Sequence, residues 1–165
     1  KKINEEMAEV FSRQYNISFI GLRFFTVYGE WGRPDMFMMK YLNSSYNKKI
    51  NFYLNNYGKH TRDFTYILDA CKIISKLVFT KKKINHEIFN ICSNNPKKLT
   101  DIIKKINLLT QKKPKLFKRK LQKADVIKTH GTNKKIKNFI GNQNFTSINL
   151  GLKITVEWFK NYYKI

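Results

Sequence analysis

Two arginines and a scatter of hydroxyl and carboxylate side chains hold most of the chemistry this sequence offers. Arg33 lies in the stretch Thr26-Val27-Tyr28-Gly29-Glu30-Trp31-Gly32-Arg33-Pro34-Asp35, and Arg62 in Arg62-Asp63-Phe64-Thr65-Tyr66-Ile67. A guanidinium presents a rigid fork of donors that fits a carboxylate or a phosphate edge-on. Read residue by residue, Arg33 can equally pair with Asp35 at the surface, and Arg62 with Asp63. The Thr26 hydroxyl can meet a ligand or tie down its own loop, and Phe25 before it can be ordinary core. Gln122 and Asp125, taken alone, are polar loop residues, and Lys1 is a solvated lysine. His60, His86 and His130 stand at no ligand spacing from one another or from Cys71 and Cys92, so no metal site is expected. The two cysteines form no C-x-x-C pattern and read as reduced, partly buried thiols of a cytoplasmic protein.

Positioning these groups falls to alternating helices and strands. Ile3, Met7, Val10, Phe11 and Tyr15 recur at helical spacing, so residues 2–15 read as an amphipathic helix ended by Asn16. Residues 17–25 are apolar on both faces and read as a buried strand of a parallel sheet. Gly29, Gly32 and Pro34 make residues 26–34 a loop, leaving the C-terminal end of that strand, where open α/β sheets place ligands. Asp35 is placed to cap a helix over 36–47. Further strands are expected over 50–54, 64–67 and 88–92, with a turn at 55–58 and a helix over 68–79. Thr100 is placed to cap a helix running to 109, with Asp101 in its first turn. A short strand near Leu116 follows, then a last helix over 147–163 burying Leu150, Ile154, Trp158 and Tyr162. The class is α/β.

The 165 residues carry 42% hydrophobic and 15% aromatic side chains, enough for a real core. No apolar run is long enough to span a membrane, and no targeting segment is visible. The formal charge of +22, from 33 basic and 11 acidic residues, invites a nucleic-acid reading. Most of it is lysine scattered among Asn and Ile, however, which reads as solvated surface rather than a dedicated nucleic-acid face. The same field would favour an anionic small substrate.

The segment Gly21-Leu22-Arg23-Phe24-Phe25-Thr26-Val27-Tyr28-Gly29-Glu30-Trp31-Gly32-Arg33-Pro34-Asp35-Met36 resembles the signature of UDP-glucuronate 4-epimerases, which are extended short-chain dehydrogenases/reductases. Tyr57-Gly58-Lys59 with Arg62-Asp63-Phe64-Thr65-Tyr66-Ile67, then Phe89-Asn90-Ile91, then Gln122 with Asp125-Val126, resemble the family in the same order. The resemblance implies an extended Rossmann fold. Residues 1–29 would be the last helix and strand of the NAD-binding domain. Residues 30–165 would be mainly a small α/β UDP-sugar-binding domain, with part of 62–92 packing back on the Rossmann sheet. It implies NAD as cofactor and transient oxidation at C4 of the sugar, with a homodimer as the usual assembly. Lys1 falls on the lysine of the family's Tyr-x-x-x-Lys pair, where it would favour the tyrosinate and hold the nicotinamide ribose. Phe25 would pack near the nicotinamide, Thr26 against the reacting end of the sugar, and Arg33 on the C6 carboxylate. Arg62 and Gln122 would meet the diphosphate, and Asp125 the ribose of the UDP.

The catalytic tyrosine would precede Lys1, so this stretch alone is expected to be inactive. Glu30, Leu68, Lys123-Ala124 and Cys92 depart from the family's usual Pro, Asp, Pro-Gly and Gly, which leaves the nucleotide end less well matched than the sugar end. The alternatives are an epimerase, decarboxylase or dehydratase for another UDP-sugar, a basic nucleic-acid-binding module, and a non-functional remnant.

Overall fold

Helix α1 (Lys2–Tyr15) forms over the apolar spacing that predicts it, and Asn16 stops it in the left-handed region at φ 52°. The computed structural model describes residues 2–165, so Lys1 and its expected role lie outside the described residues. α1 packs by its polar side. Ser12 Oγ donates to the Asn85 carbonyl at 2.8 Å, and Arg23 Nε donates to Glu5 Oε1 at 2.7 Å. The stripe Ile3, Met7, Val10, Phe11 and Tyr15 therefore points outward and is exposed.

Strand β1 (Phe19–Phe24) runs parallel to β5 (His86–Ile91), with Leu22 opposite Phe89. No residue of β1 is buried, against the expectation for this segment. Ile20 and Leu22 pack on the cluster of Phe89 and Ile91, while Arg23 on the other face reaches Glu5, so only one face meets apolar core. The three residues after Phe25, expected as loop, form strand β2 (Thr26–Tyr28), parallel to β4 (Thr61–Tyr66) with Thr26 opposite Phe64. β6 (Pro96–Lys98) closes this sheet antiparallel to β4. A third pair, β3 (Phe52–Leu54) with β7 (Leu116–Lys118), is parallel.

Helices α2 (Phe37–Tyr46), α4 (Leu99–Thr110) and α6 (Ile148–Tyr163) enclose one core around Tyr41, Leu42, Ile102, Ile106 and Leu152, all fully buried. A second core joins α3 (Ile67–Val78) and α5 (Lys134–Ile140) to β5. Two expected caps are not formed. Asp35 pairs with Arg33 and Met36 takes the cap position of α2. Thr100 sits inside α4, which starts after Lys98. Ser147 does cap α6, accepting from the Leu150 amide at 3.3 Å. That helix buries Gly151, Leu152, Thr155, Val156 and Phe159; of the expected stripe, Ile154 and Trp158 are half-buried against the same core, while Leu150 and Tyr162 are exposed. Trp158 and Tyr162 also lie beside Trp31, whose ring centroid is 5.3 and 5.1 Å from theirs. Of the two cysteines expected to be partly buried, Cys71 is exposed and Cys92 buried. No helix is long and apolar enough to cross a membrane among the described residues.

Candidate functional site

A cleft of about 350 Å³ opens where the start of α2, strand β3 and the first residues of β4 meet. Its apolar wall comes from Phe37, Phe52 and Phe64, held edge-on or tilted with centroids 5.9 Å (Phe37–Phe52) and 6.4 Å (Phe37–Phe64) apart. The polar groups set into it include Thr26, Asp35, Lys40, His60, Arg62 and Asp125, with Asn55 beside them. An apolar cavity with a few convergent polar groups is the usual form of a small-molecule site.

Each polar group has a local reason to be there. Thr26 opens β2, and its pairing with Phe64 faces it across from β4. Asn55 begins a turn (Asn55–Gly58) in which Asn56 and Tyr57 are left-handed at φ 48° and 52°, and Gly58 follows at φ 81°. A Cβ on Gly58 would meet Leu54 Cδ2 at 2.9 Å and Thr100 Cγ2 at 3.1 Å, so a side chain is excluded there. This turn brings the Asn55 Nδ2 within 3.3 Å of Asp125 Oδ2, to which it donates. Asp125 is presented by its own turn, its amide donating to the Gln122 carbonyl at 3.0 Å. His60 and Arg62 flank the start of β4. The Arg62 guanidinium donates to the carbonyls of Thr61 (3.0 Å) and Ile127 (3.1 Å), leaving Asp63 to other partners. Asp63 is fully buried and accepts from Ser93 Oγ at 2.7 Å and the Gly131 amide at 3.3 Å, a structural role.

Electrostatics sharpen the picture. Burial, then the neighbouring Arg62 charge, push the His60 imidazole below its ordinary range, with Asp125 pulling partly back. Arg33 and Asp35 form an exposed two-pronged pair, Nε–Oδ1 3.0 Å and Nη2–Oδ2 2.5 Å, which lowers the Asp35 carboxyl and raises the guanidinium. Burial raises the Tyr66 hydroxyl, which also donates to both oxygens of Glu30 at 2.8 and 2.9 Å, pinning the loop before Arg33 to β4. Burial and Asp63 push the Cys92 thiol up to about 11.

The structure thus brings Thr26, Arg62 and Asp125 to one cleft. Arg33 stands apart at the surface on Asp35, though Asp35 itself lines the cleft. Gln122 is exposed and not among the lining residues. Phe25 is half-buried just beyond the C-terminal end of β1, its ring packed on Gly131, where a Cβ would meet Phe25 Cζ at 2.5 Å and Cys92 Sγ at 2.7 Å. His60, Lys40 and Asn55 escaped the sequence reading. For His60 the available signal was its place two residues before Arg62 at the head of a strand. A second groove of about 640 Å³, with Lys48, Lys112, Lys113 and Lys115, lies past the C-terminal ends of α2 and α4. Lysines there complement the negative ends of two helices, which accounts for this basic cluster without a nucleic acid.

Residues 1–92 match the family model described as the NAD dependent epimerase/dehydratase family. An uncharacterized protein of Methanocaldococcus jannaschii is 41% identical over 160 residues, covering 96% of this chain and 48% of that protein. UDP-glucuronate 4-epimerase 2 of Arabidopsis thaliana is 34% identical over 178 residues, covering 99% of this chain and 41% of that protein. The chain therefore spans about half the length, or less, of these curated relatives. Among solved structures, the UDP-glucuronic acid 4-epimerase of Bacillus cereus, in complex with UDP-glucuronic acid and NAD, superposes with a TM-score of 0.87 at 27% identity, covering 96% of this chain and 50% of that one.

Proposed function

The chain belongs to the NAD dependent epimerase/dehydratase family, and from that premise we propose that it supplies the substrate-binding part of a nucleotide-sugar 4-epimerase acting on UDP-glucuronate. The observation that carries the reading is the single cleft in which Thr26, Arg62 and Asp125 converge, each at the position the epimerase resemblance assigns to a different part of a UDP-sugar. Arg62 takes the diphosphate, Asp125 the ribose hydroxyls, and Thr26 the sugar near its reacting carbon. Residues 1–29 and the parallel β1–β5 pair form the side facing the dinucleotide, and 30–165 mainly the UDP-sugar side.

The residues present fit NAD in one respect that this chain can show. Phe25 offers a half-buried aromatic surface beyond the C-terminal ends of two parallel strands, held by close packing on Gly131, beside Thr26. Phe25 would lie along the nicotinamide, and Lys1 would hold its ribose. When bound, NAD supplies the hydride acceptor and donor for transient oxidation at C4.

Arg33 carries the specificity. A 4-keto-uronate is a β-keto acid, and it loses CO2 when its carboxylate group aligns with the carbonyl π system. A guanidinium gripping both carboxylate oxygens fixes that group and suppresses the loss. The Arg33–Asp35 pair is exposed, so little opposes the exchange of Asp35 for a substrate carboxylate. The second reading is an epimerase for a neutral UDP-sugar, favoured by Arg33 itself, which is paired with Asp35 and does not line the cleft. The outward apolar stripe of α1 is assigned to the contact between two copies of the complete, cytoplasmic protein.

Turnover of UDP-glucuronate and of UDP-glucose by the complete enzyme, with and without Arg33→Ala, separates the readings. The first predicts a loss of about 10- to 100-fold in kcat/KM with the uronate, and little change with the neutral sugar. Equal losses on both would remove the carboxylate role.

A further inference from the structure

His60 is the group in the cleft that the roles above leave unused. It is 3% exposed, and its backbone is fixed, its carbonyl accepting from the Leu99 amide at 2.9 Å. Its Nε2 has no hydrogen-bond partner among the described residues, and Asp125 Oδ2 lies 3.9 Å away. That is beyond hydrogen-bond range, and a buried polar nitrogen left in that condition is disfavoured. Asp125 Oδ2 accepts from Asn55 at 3.3 Å rather than from the ring. Both groups line the same cleft.

We infer that His60 is a ligand-contacting residue which, together with Asp125, reads the vicinal diol of a bound nucleotide's ribose; the inference rests on the nucleotide-sugar reading above. The charged neighbours support it. Burial and the Arg62 charge favour the neutral imidazole, with Asp125 and the Asn55 backbone opposing them more weakly. A neutral imidazole offers one nitrogen that accepts and one that donates. With the proton on Nδ1, Nε2 accepts from one hydroxyl of the diol while Asp125 accepts from the other. With the proton on Nε2, it donates to a hydroxyl that in turn donates to Asp125. Adjacent hydroxyls satisfy both arrangements. An apolar group satisfies neither and would leave a buried nitrogen unmatched. A lone phosphate would be drawn to Arg62 but repelled by Asp125, so the ribose fits this corner and the diphosphate does not.

The test is calorimetric titration of the complete protein at pH 7.5 with UDP and with its 2′-deoxy and 3′-deoxy analogues. The wild type is expected to bind UDP about tenfold more tightly than at least one deoxy analogue, the range of one hydrogen bond. His60→Ala should abolish the preference over the analogue that lacks the hydroxyl His60 contacts and weaken UDP by a similar factor, and His60→Gln should restore part of it. Equal affinity of the wild type for all three ligands would overturn the inference without any variant, so a folding defect in His60→Ala cannot shield it. A preference that persists unchanged in both variants would overturn it as well. Failure of the wild type to bind UDP at all would overturn the nucleotide-sugar reading, and the inference with it.

Discussion

Gly151 sits where α6 crosses the end of β2, and a Cβ added there would come within 2.1 Å of the Tyr28 hydroxyl oxygen and 2.9 Å of Cζ. Tyr28 is 4% exposed, and its hydroxyl is buried without a hydrogen-bond partner among the described residues. Neither group can yield cheaply, since Tyr28 is held in β2 opposite Tyr66 and Gly151 lies inside a helix. Gly151→Ala gains about 1 kcal/mol of helix propensity. Against that stands overpacking, which costs about 1–3 kcal/mol, with the upper part of that range expected for an overlap this deep. The net result is destabilisation of about 1–2 kcal/mol, or about 2–8 °C in Tm for a domain of this size. Tyr28→Phe alone removes an unsatisfied buried hydroxyl and should be neutral or stabilising by about 1 kcal/mol. It should also relieve much of the Gly151→Ala penalty, because the 2.1 Å contact is with the oxygen it deletes. Urea denaturation of wild type, both single variants and the double variant gives the coupling directly. Additive effects, or a Gly151→Ala chain at least as stable as wild type, would refute this packing of α6 on β2.

Further outcomes follow from the same geometry. Asp69 accepts from the Thr146 amide (2.7 Å) and hydroxyl (2.9 Å), so Asp69→Ala should cost about 2–3 kcal/mol in urea denaturation, and Asp69→Asn less. His60 has a folded pKa below its ordinary 6.5, so the unfolded chain takes up the proton more readily. The stability this group contributes is full above pH 6.5 and declines as pH falls through the lower folded value, with a slope of at most about 1.4 kcal/mol per pH unit. His60→Gln should flatten that part of the stability profile. With Cys92 buried and its thiol pushed up to about 11, a thiol reagent at pH 8 should label Cys71 quickly and Cys92 only on unfolding.

The elements were legible where one periodicity dominated. The 3.6-residue spacing of Ile3 to Tyr15 found α1 to the residue at its C-terminal end, yet amphipathicity alone could not say that its polar side would face β1. In α6 the spacing of the largest apolar residues marks a stripe one position off the most buried face, which Gly151, Leu152, Thr155, Val156 and Phe159 form, with Ile154 and Trp158 at its edge. Gly151 lets the helix sit close to Tyr28, and Trp158 and Tyr162 lie beside Trp31. β6 was hidden because Pro96-Lys97-Lys98 carries no β-pattern and gains its place only by lying along β4. In the site, Thr26, Arg62 and Asp125 stood out through the family resemblance. His60 did not, since the spacing of the histidines bears only on metal binding and offers none. Its burial beside Asp125 arises from a contact 65 residues apart, which local sequence does not reveal.

The central claim, that this cleft takes a UDP-sugar, is tested most directly by titrating the chain with UDP-glucuronate while recording backbone amide spectra. Saturable shifts clustered at Thr26, Asn55, Arg62 and Asp125, which share the cleft, are expected. Shifts confined to the lysine-rich groove around Lys112 and Lys115, or none that saturate, would contradict it.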